Sequence, residues 1–263
     1  MNIGQKEHWD RRAAEFQRKF LDGENEYNKK LLEFWTENGM IKEGMRTVDI
    51  GCGVGRYGVL LGNFGCEVSL TDISEEMLRY SEENMLKSRP KLPFHTYRCD
   101  FAEATGKEEF FKKGFDFSIA CMSPAINDFE SIRKMSDMTK GYCFVTRFVK
   151  REQPLKEEII SELGLSFPES ERFVSGVEEI TEAVRKMSFE PQLKYVDYNW
   201  SDEKSPEVLA KDILKGWFSE RGEDNAAELE KQVFEIAADI KNKRGTLIDE
   251  VFSKVVWLYW QTK

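Results

Sequence analysis

Short apolar segments alternate with longer amphipathic segments between residues 46 and 150. The apolar segments are rich in β-branched and aromatic residues, whereas the segments between them carry apolar side chains at helical spacing. This alternation predicts βαβ units and therefore a mostly parallel sheet. The strands predicted in this part of the chain are 46–50, 66–71, 94–99, 115–121 and 142–149.

One helix of this region has clearly marked ends. Ser74 suits the N-cap position because its hydroxyl can accept a hydrogen bond from a backbone amide of the first turn. Glu75 and Glu76 follow it, at the end of the helix where the dipole favours acidic side chains. The helix is expected to end before Pro90, because a proline disfavours helical backbone at the residue before it.

The pattern beyond residue 150 predicts three helices and two further strands. A capping box at 175–178 begins the first helix, whose apolar face holds Val177, Ile180, Val184 and Met187. The strands are expected at 192–200 and 251–260, with two helices between them. The second helix begins at Pro206, and the third ends before Gly245. Their apolar stripes are formed by Leu209, Ile213 and Trp217, and by Ala226, Leu229, Val233, Ala237 and Ile240.

Charge and cysteine usage narrow the range of partners and locations. The formal charge of −9 disfavours a surface that neutralises phosphates, so neither nucleic acid nor an anionic membrane is expected as a partner. The five cysteines are widely spaced and the chain has two histidines, which gives no metal-ligand cluster. No apolar run has the length of a signal peptide or of a membrane span. A soluble cytoplasmic protein is therefore predicted.

The main candidate for chemistry is the stretch 48–58, VDIGCGVGRYG, at the end of the first predicted strand. A glycine-rich turn that leads into a helix presents free backbone amides, and the positive end of the helix dipole, to a ligand. Two patterns overlap here. The dinucleotide pattern G-x-G-x-x-G is met by Gly53, Gly55 and Gly58, and the pattern acidic-x-G-x-G-x-G by Asp49, Gly51, Gly53 and Gly55.

The position of the glycines relative to the strand favours the second pattern. In the dinucleotide fold the first glycine of the pattern follows the strand directly, but here Gly51 ends the strand two residues before Gly53. A carboxylate at Asp49 inside an apolar strand would be costly without a polar partner. Asp72, after the second strand, lies where either class holds a ribose diol. Asp100, followed by an aromatic residue, suits an adenine ring.

These motifs resemble those of the class I S-adenosylmethionine-dependent methyltransferases, in particular the small-molecule group that begins with a Trp-containing helix. The resemblance covers about residues 5–150 and the two late strands, and it includes the leading segment 8–16, HWDRRAAEF. It implies S-adenosylmethionine as the cofactor and S-adenosylhomocysteine as the product. It also implies an α/β, Rossmann-like fold with a seven-stranded, mostly parallel sheet, an antiparallel last strand and helices on both faces. A dinucleotide enzyme is the alternative.

The resemblance also divides the chain. One methyltransferase domain is expected over residues 1–263, with an extra helical insertion near the C-terminus. Its parts are an N-terminal helical cover (1–40), the cofactor-binding core (41–150), helices and the sixth strand (151–200), a helical lid insertion (201–250) and the last strand (251–263). The residues that the resemblance assigns to cofactor binding are Trp9, Tyr27, Asp49, Gly51, Cys52, Gly53, Gly55, Asp72, Ile73, Asp100, Phe101 and Cys121.

The catalytic residue is open, because methyl transfer from a sulfonium depends mainly on alignment of donor and acceptor. His8, Tyr27 and Arg147 are candidates, and His8 could equally be a solvated surface residue. The stretch 123–126, SPAI, stands where related amino-group methyltransferases carry an (Asn/Asp/Ser)-Pro-Pro-aromatic tetrad, so it departs from that tetrad at its last two positions. The candidates for acceptor binding are Ser123, Arg147, Trp200 and Trp217.

Several of these residues have an equally simple structural explanation. Ser123 and the proline after it could form only a turn, Arg147 could form an edge salt bridge, and Trp217 could pack in a helical core. The predicted function is methyl transfer to a small-molecule acceptor. A protein or RNA methyltransferase, and a non-catalytic module that binds S-adenosylmethionine, are the alternatives.

Overall fold

The computed structural model describes residues 3–21, 26–104, 111, 114–169, 173, 176–217 and 226–263. The chain folds into two compact units. The first unit consists of Met1–Arg147, Gly176–Lys194 and Val256–Lys263, and the second of Phe148–Ser175 and Tyr195–Val255. None of the helices in the described ranges is long and apolar enough to cross a membrane.

The strands and helices follow one another in the order expected for βαβ units. The strands are β1 (Arg46–Ile50), β2 (Glu67–Asp72), β3 (Phe94–Arg98), β4 (Phe115–Cys121), β5 (Thr139–Glu152), β6 (Gln192–Asp197), β7 (Trp200–Glu203) and β8 (Ile248–Gln261). The helices are α1 (Ile3–Leu21), α2 (Glu26–Glu37), α3 (Arg56–Phe64), α4 (Glu75–Ser88), α5 (Phe129–Asp137), α6 (Pro154–Glu162), α7 (Val177–Lys186), α8 (Pro206–Trp217) and α9 (Ala226–Arg244).

Within the described ranges the sheet has eight strands, one more than the predicted seven. Seven of them follow the order β3-β2-β1-β4-β5-β8-β6, and β7 is added by its pairing with β8. β1 pairs in parallel with β2 and with β4, β2 pairs in parallel with β3, and β4 with β5. Parallel pairing brings the carboxyl ends of these strands to one edge, which is where open α/β sheets bind ligands. The predicted Rossmann-like α/β fold with a mostly parallel sheet is confirmed.

The late strands differ from their predicted bounds. The strand predicted at 192–200 is interrupted, because β6 ends at Asp197 and Trp200 begins β7 instead of ending β6. β7 pairs antiparallel with β8, with Glu203 opposite Ile248. The final strand therefore begins at Ile248 and not at residue 251, because the extra residues take part in this pairing.

The ends of α4 agree with the sequence prediction. The Ser74 hydroxyl accepts a hydrogen bond from Met77 N at 3.1 Å, and the C-cap residue is Arg89, directly before Pro90. The helix expected from the capping box is α7, whose N-cap is Gly176 and has no side-chain cap. Ser175, the first residue of that capping box, lies outside the described residues.

The first unit has an aromatic core beneath its sheet. The Trp35 ring contacts the rings of Phe117 on β4 and Phe144 on β5, each at 5.4 Å between centroids. Phe34 contacts Trp257 of β8 at 4.9 Å. Burial of these large rings provides much of the hydrophobic stabilisation of this unit, because each removes a large apolar area from water.

The second unit has a separate apolar core formed by α6, α8 and α9. The predicted stripes of the two late helices are confirmed where Leu209, Ile213, Val233, Ala237 and Ile240 are buried. These side chains pack with Leu155, Ile159 and Ile160 of α6. The helices of the predicted insertion 201–250 thus share one core with a helix that precedes them by about forty residues.

Candidate functional site

The glycine loop follows β1 directly, as its sequence predicted. Gly51 has φ 68°, and a Cβ atom at this position would lie 1.9 Å from Ser123 Oγ. Gly55, with φ 83°, is the N-cap of α3, and a Cβ atom there would lie 2.9 Å from Ser81 Cβ. Both positions combine a left-handed backbone with too little room for a side chain. The loop therefore turns tightly into α3, with Gly53 between them.

Asp72 connects the carboxyl end of β2 to this loop. Its Oδ2 accepts a hydrogen bond from Gly53 N and its Oδ1 accepts one from Ser74 N, both at 2.9 Å. Burial raises the pKa of Asp72, although the two backbone donors oppose the shift. Ile73 lies half-buried in the turn between Asp72 and Ser74. Asp72 thus fixes the loop and holds carboxylate oxygens at the ligand-binding edge of the sheet.

Asp49 is a buried carboxyl group on β1 with an unpartnered oxygen. The residue is 1% exposed, and its Oδ2 has no hydrogen-bond partner among the described residues. Burial, together with the nearby charge of Asp72, raises the pKa of Asp49 to about 8, while a backbone hydrogen bond from Gly58 opposes the shift. A buried polar atom left without a partner is costly unless a ligand supplies one.

The thiols next to these acids are packed and protonated. Burial raises the pKa of Cys52 in the loop, and of Cys121 at the end of β4, well above the ordinary value for a thiol. The charges of nearby carboxylates raise both pKa values further. Neither thiol is therefore available as a nucleophile at neutral pH.

Helix α1 is attached to the same region by buried polar contacts. Asp10 Oδ1 accepts a hydrogen bond of 2.6 Å from Ser74 Oγ, directly beside Asp72. The amide groups of Gln17 and Asn84 exchange hydrogen bonds of 2.9 and 2.7 Å, and Asn84 also donates to the Val54 carbonyl at 2.9 Å. The sequence pattern does not predict the contacts of α1, because the partners lie more than sixty positions apart.

Trp9 and His8 stand on this helix with different surroundings. Trp9 packs against a small cluster that contains Val54 of the loop and Met77 of α4. His8 is exposed, and its ring contacts the Trp9 ring edge-on at 5.1 Å. Trp9 thus lies beside the glycine loop, and its role in the cofactor site stays a prediction. His8 has the surroundings of a surface residue.

The turn after β3 contains Asp100 and Phe101 and is held by a buried lysine. Lys134 of α5 is 7% exposed, and its Nζ donates hydrogen bonds to the carbonyls of Phe101, Ala102 and Ala104 at 2.5, 2.9 and 2.9 Å. Its ammonium also lies 5.3 Å from the centre of the Phe101 ring. Nothing in the sequence marks this lysine, because it stands on an otherwise ordinary amphipathic helix.

The loop after β4 contacts the glycine loop from the other side. Met122 has φ 54°, which is unusual for a residue with a side chain, and its amide donates to Thr146 Oγ1 at 3.0 Å. The next residue, Ser123, is 2% exposed, and its hydroxyl lies against Gly51. The structure thus brings this predicted acceptor residue to the glycine loop.

Arg147 lies one residue beyond the partner of Cys121 in the β4–β5 pairing. Its guanidinium donates to the Thr146 carbonyl at 2.8 Å and to the Ile126 carbonyl. Burial lowers the pKa of Arg147 to about 10. No ion pair joins it to a carboxylate in the described ranges, so the edge salt bridge considered from the sequence is absent there.

The other predicted aromatic residues lie in different surroundings. Tyr27 is 4% exposed, and its hydroxyl accepts a hydrogen bond of 2.9 Å from Trp257 Nε1 in the aromatic core. Trp200, in the second unit, contacts the rings of Phe148 and Tyr198 at 6.2 and 5.3 Å. Trp217 is the last residue of α8, and its side chain lies outside the described part of the chain. Cofactor or acceptor roles for these three residues stay predictions.

The polar groups around the glycine loop suit a ligand that combines a nucleoside with an amino acid. It offers an unpartnered buried acid at Asp49, a cradle of backbone at Gly51 to Gly55 that side chains would fill, and the Asp72 carboxylate at the neighbouring strand end. These groups suit an ammonium group and a ribose diol.

The family model described as "Methyltransferase domain" matches residues 41–222 of the chain. The chain belongs to this family. Membership in the class I S-adenosylmethionine-dependent methyltransferases, which the sequence motifs predicted, is confirmed, and with it S-adenosylmethionine as the cofactor.

Two curated relatives are similar to parts of this methyltransferase. YqeM of Bacillus subtilis, which carries a methyltransferase name, is 28% identical over 138 residues, or 52% of this chain and 51% of that protein. A Methanocaldococcus jannaschii protein named as a ribosomal RNA large subunit methyltransferase is 34% identical over 112 residues, or 41% of this chain and 28% of that protein. The chain thus matches about half of the first relative and less than a third of the second.

Solved structures show the same fold at low sequence identity. YcgJ of Bacillus subtilis superposes with a TM-score of 0.54 at 13% identity, covering 88% of this methyltransferase and 97% of that chain. The magnesium protoporphyrin IX methyltransferase of Synechocystis, solved with bound S-adenosylhomocysteine, gives a TM-score of 0.52 at 16% identity, covering 78% and 94%.

Proposed function

We propose that this protein transfers the methyl group of S-adenosylmethionine to a small-molecule acceptor. The observation that carries the donor part of the proposal is the Asp49 carboxyl group, which is buried and lacks a partner for one oxygen among the described residues. It stands at the end of β1, directly before the glycine loop that Asp72 fixes. An acid in this state suits the ammonium of the methionine portion of the cofactor, which would supply the missing partner and the compensating charge.

Each end of the cofactor has a proposed binding group. Asp72 would accept hydrogen bonds from the ribose hydroxyls, because its oxygens stand at the carboxyl end of β2. Asp100 and Phe101 would bind the adenine, held in place by Lys134. Trp9 and α1 would cover the loop. These roles follow the family resemblance residue by residue, and the observed contacts support them.

The reaction makes few demands on the protein's own acid–base groups. The bound cofactor supplies a methyl group on an already activated sulfonium, and the chain's residues orient the donor and exclude water. The described loop region offers no deprotonated thiol, since Cys52 and Cys121 are both held in the protonated form. An acceptor that reaches the site with a free electron pair needs no base from the protein.

The cofactor assignment is tested by calorimetric titration with S-adenosylhomocysteine. Asp72→Ala is expected to weaken binding at least about tenfold, or ~1.4 kcal/mol, because it removes a charged acceptor of hydrogen bonds. Asp116→Ala is the matched control, since Asp116 also accepts a backbone hydrogen bond, from Arg46 N at 2.9 Å, at the start of β4. Equal affinities for the two variants would refute the role of Asp72.

The small-molecule acceptor is supported by the net charge of −9, which disfavours binding to a polyanion. RNA is the second candidate, because one relative carries the name of a ribosomal RNA methyltransferase. A fluorescence anisotropy titration with ribosomal RNA fragments at low salt separates the two. Saturable binding that tightens as salt is lowered would favour RNA, whereas no binding would favour a small molecule. A methyl-transfer screen with radiolabelled cofactor then separates an enzyme from a non-catalytic module.

A further inference from the structure

Arg147 carries a charge that the surrounding described residues do not neutralise. Of its five N–H donors, one is directed at the Thr146 carbonyl and one at the Ile126 carbonyl, and both acceptors are uncharged. No Asp or Glu of the described residues forms an ion pair with it. A half-buried guanidinium with free donors and no counter-ion is an incomplete anion site.

Another arginine of the same unit shows the usual alternative. Arg133 on α5 pairs with Glu130 and Asp137, each at 2.8 Å. These carboxylates raise the pKa of Arg133, whereas burial without such partners lowers that of Arg147 to about 10. The chain has more acidic than basic residues, 48 against 39. The lack of a carboxylate beside Arg147 is therefore not explained by a shortage of acidic residues.

Arg147 contacts the loop that follows β4, and the same loop contacts the glycine loop. β4 ends at Cys121, which pairs with Thr146, and the loop that follows β4 carries Ser123 against Gly51. The same loop continues to Ile126, whose carbonyl accepts from Arg147. The guanidinium is therefore joined through this short loop to the turn that would hold the methyl donor.

We infer that Arg147 binds an anionic group, a carboxylate or a phosphate, of the methyl acceptor. Its planar guanidinium can form two parallel hydrogen bonds with either group. The anion would supply the negative charge that Arg147 lacks among the described residues. The inference rests on the proposed function, because it places the acceptor beside the bound donor. It narrows the substrate class to small acids.

The test uses the full chain saturated with S-adenosylhomocysteine and titrated with acetate, inorganic phosphate and neutral acetamide. Wild-type protein is expected to bind acetate or phosphate saturably in the millimolar range and not to bind acetamide. Arg147→Met is expected to weaken anion binding at least about tenfold, and Arg147→Lys less. Arg133→Met is the matched control and should bind anions as the wild type does. The stronger of the two anions identifies the acceptor group.

A second measurement does not depend on how the variants fold. Phenylglyoxal modifies arginines, and its rate at Arg147 and Arg133 in wild-type protein is followed by peptide mass spectrometry. The bound anion should slow modification of Arg147 and leave Arg133 unchanged.

The proposed function and the role of Arg147 can fail separately. Absence of S-adenosylhomocysteine binding to the wild type would refute the proposed function. Normal cofactor binding without saturable anion binding, anion affinity unchanged in Arg147→Met, or no protection of Arg147 would overturn this inference alone.

Discussion

Asp49 shows how a binding site costs stability when it holds no ligand. An acid whose pKa is about 8 in the folded protein and near 3.8 in an unfolded chain binds one more proton in the folded state between these values. Its contribution to the free energy of unfolding is therefore fully present below about pH 4 and is lost as the pH rises toward 8.

We expect Asp49→Asn to flatten the pH dependence of stability of the ligand-free protein. The change in slope should approach one proton, or ~1.4 kcal/mol per pH unit, between about pH 5 and pH 7. Urea unfolding of wild type and variant across this interval measures it. Parallel pH profiles for wild type and Asp49→Asn would show that the buried carboxyl group does not titrate as described.

The sequence predicted those site residues whose role follows from their position at the end of a predicted strand. Asp49, Gly51 and Asp72 stand at the carboxyl ends of strands that the hydrophobic pattern marks, so their common edge could be deduced from topology. Asn84 and Lys134 could not be found in this way, because their partners lie far along the chain. Asn84 contacts the Gln17 amide and the Val54 carbonyl, and Lys134 contacts carbonyls of the turn after β3. A polar side chain on an amphipathic helix has the same pattern whether it faces solvent or a buried carbonyl.

Among the helices, α5 holds the turn after β3 in place, and its sequence does not predict this role. Lys134 places three hydrogen bonds on the turn after β3, so the orientation of Phe101 depends on this helix. Three carbonyls would be left without their donor if the ammonium were removed.

We expect Lys134→Met to weaken S-adenosylhomocysteine binding by about tenfold or more and to raise the KM for S-adenosylmethionine with little change in kcat. Lys134→Arg should restore most of the affinity, since a guanidinium can serve several carbonyls. Arg133→Met, on the adjacent residue of the same helix, controls for general effects on α5. A loss of stability with unchanged cofactor affinity would mean that Lys134 supports the fold only.

The strand ends that the sequence did not predict are set by pairing rather than by hydrophobic pattern. The break between β6 and β7 falls at Tyr198 and Asn199, where Tyr198 N donates to Ser253 O at 2.9 Å and Asn199 Oδ1 accepts from Ser253 N at 3.0 Å. Such contacts with β8 decide where a strand ends, and they are invisible in a continuous β-rich segment.

For the chain as a whole, the boundaries of the two compact units differ from those of the predicted segments. The contacts that form the glycine loop lie inside the first unit, whereas α6, α8 and α9 share the core of the second. Replacing residues 201–250 by a short turn would therefore also uncover Ile159 and Ile160 of α6. A lid function for these helices stays a prediction and is better tested by single substitutions.

We expect Ile213→Ala, in the buried core of the second unit, to lower the free energy of unfolding by about 2–5 kcal/mol. Val208→Ala, on the same helix but 49% exposed, should change it by less than about 0.5 kcal/mol. Chemical denaturation measures both. At temperatures where both variants are folded, S-adenosylhomocysteine affinity should equal that of the wild type. A large loss of affinity in Ile213→Ala alone would show that the second unit supports the cofactor site.

The contact between Gly51 and Ser123 links the residues that are allowed in two separate loops. Because the serine hydroxyl occupies the space of a side chain at position 51, and because φ 68° itself favours glycine there, we expect neither position to accept a larger residue as related sequences diverge. Ala125 is less constrained, since its Cβ would meet such a side chain only at 3.6 Å, an ordinary contact distance. In the loop after β4, Ser123 can thus stay fixed while the neighbouring residues change to suit a different methyl acceptor.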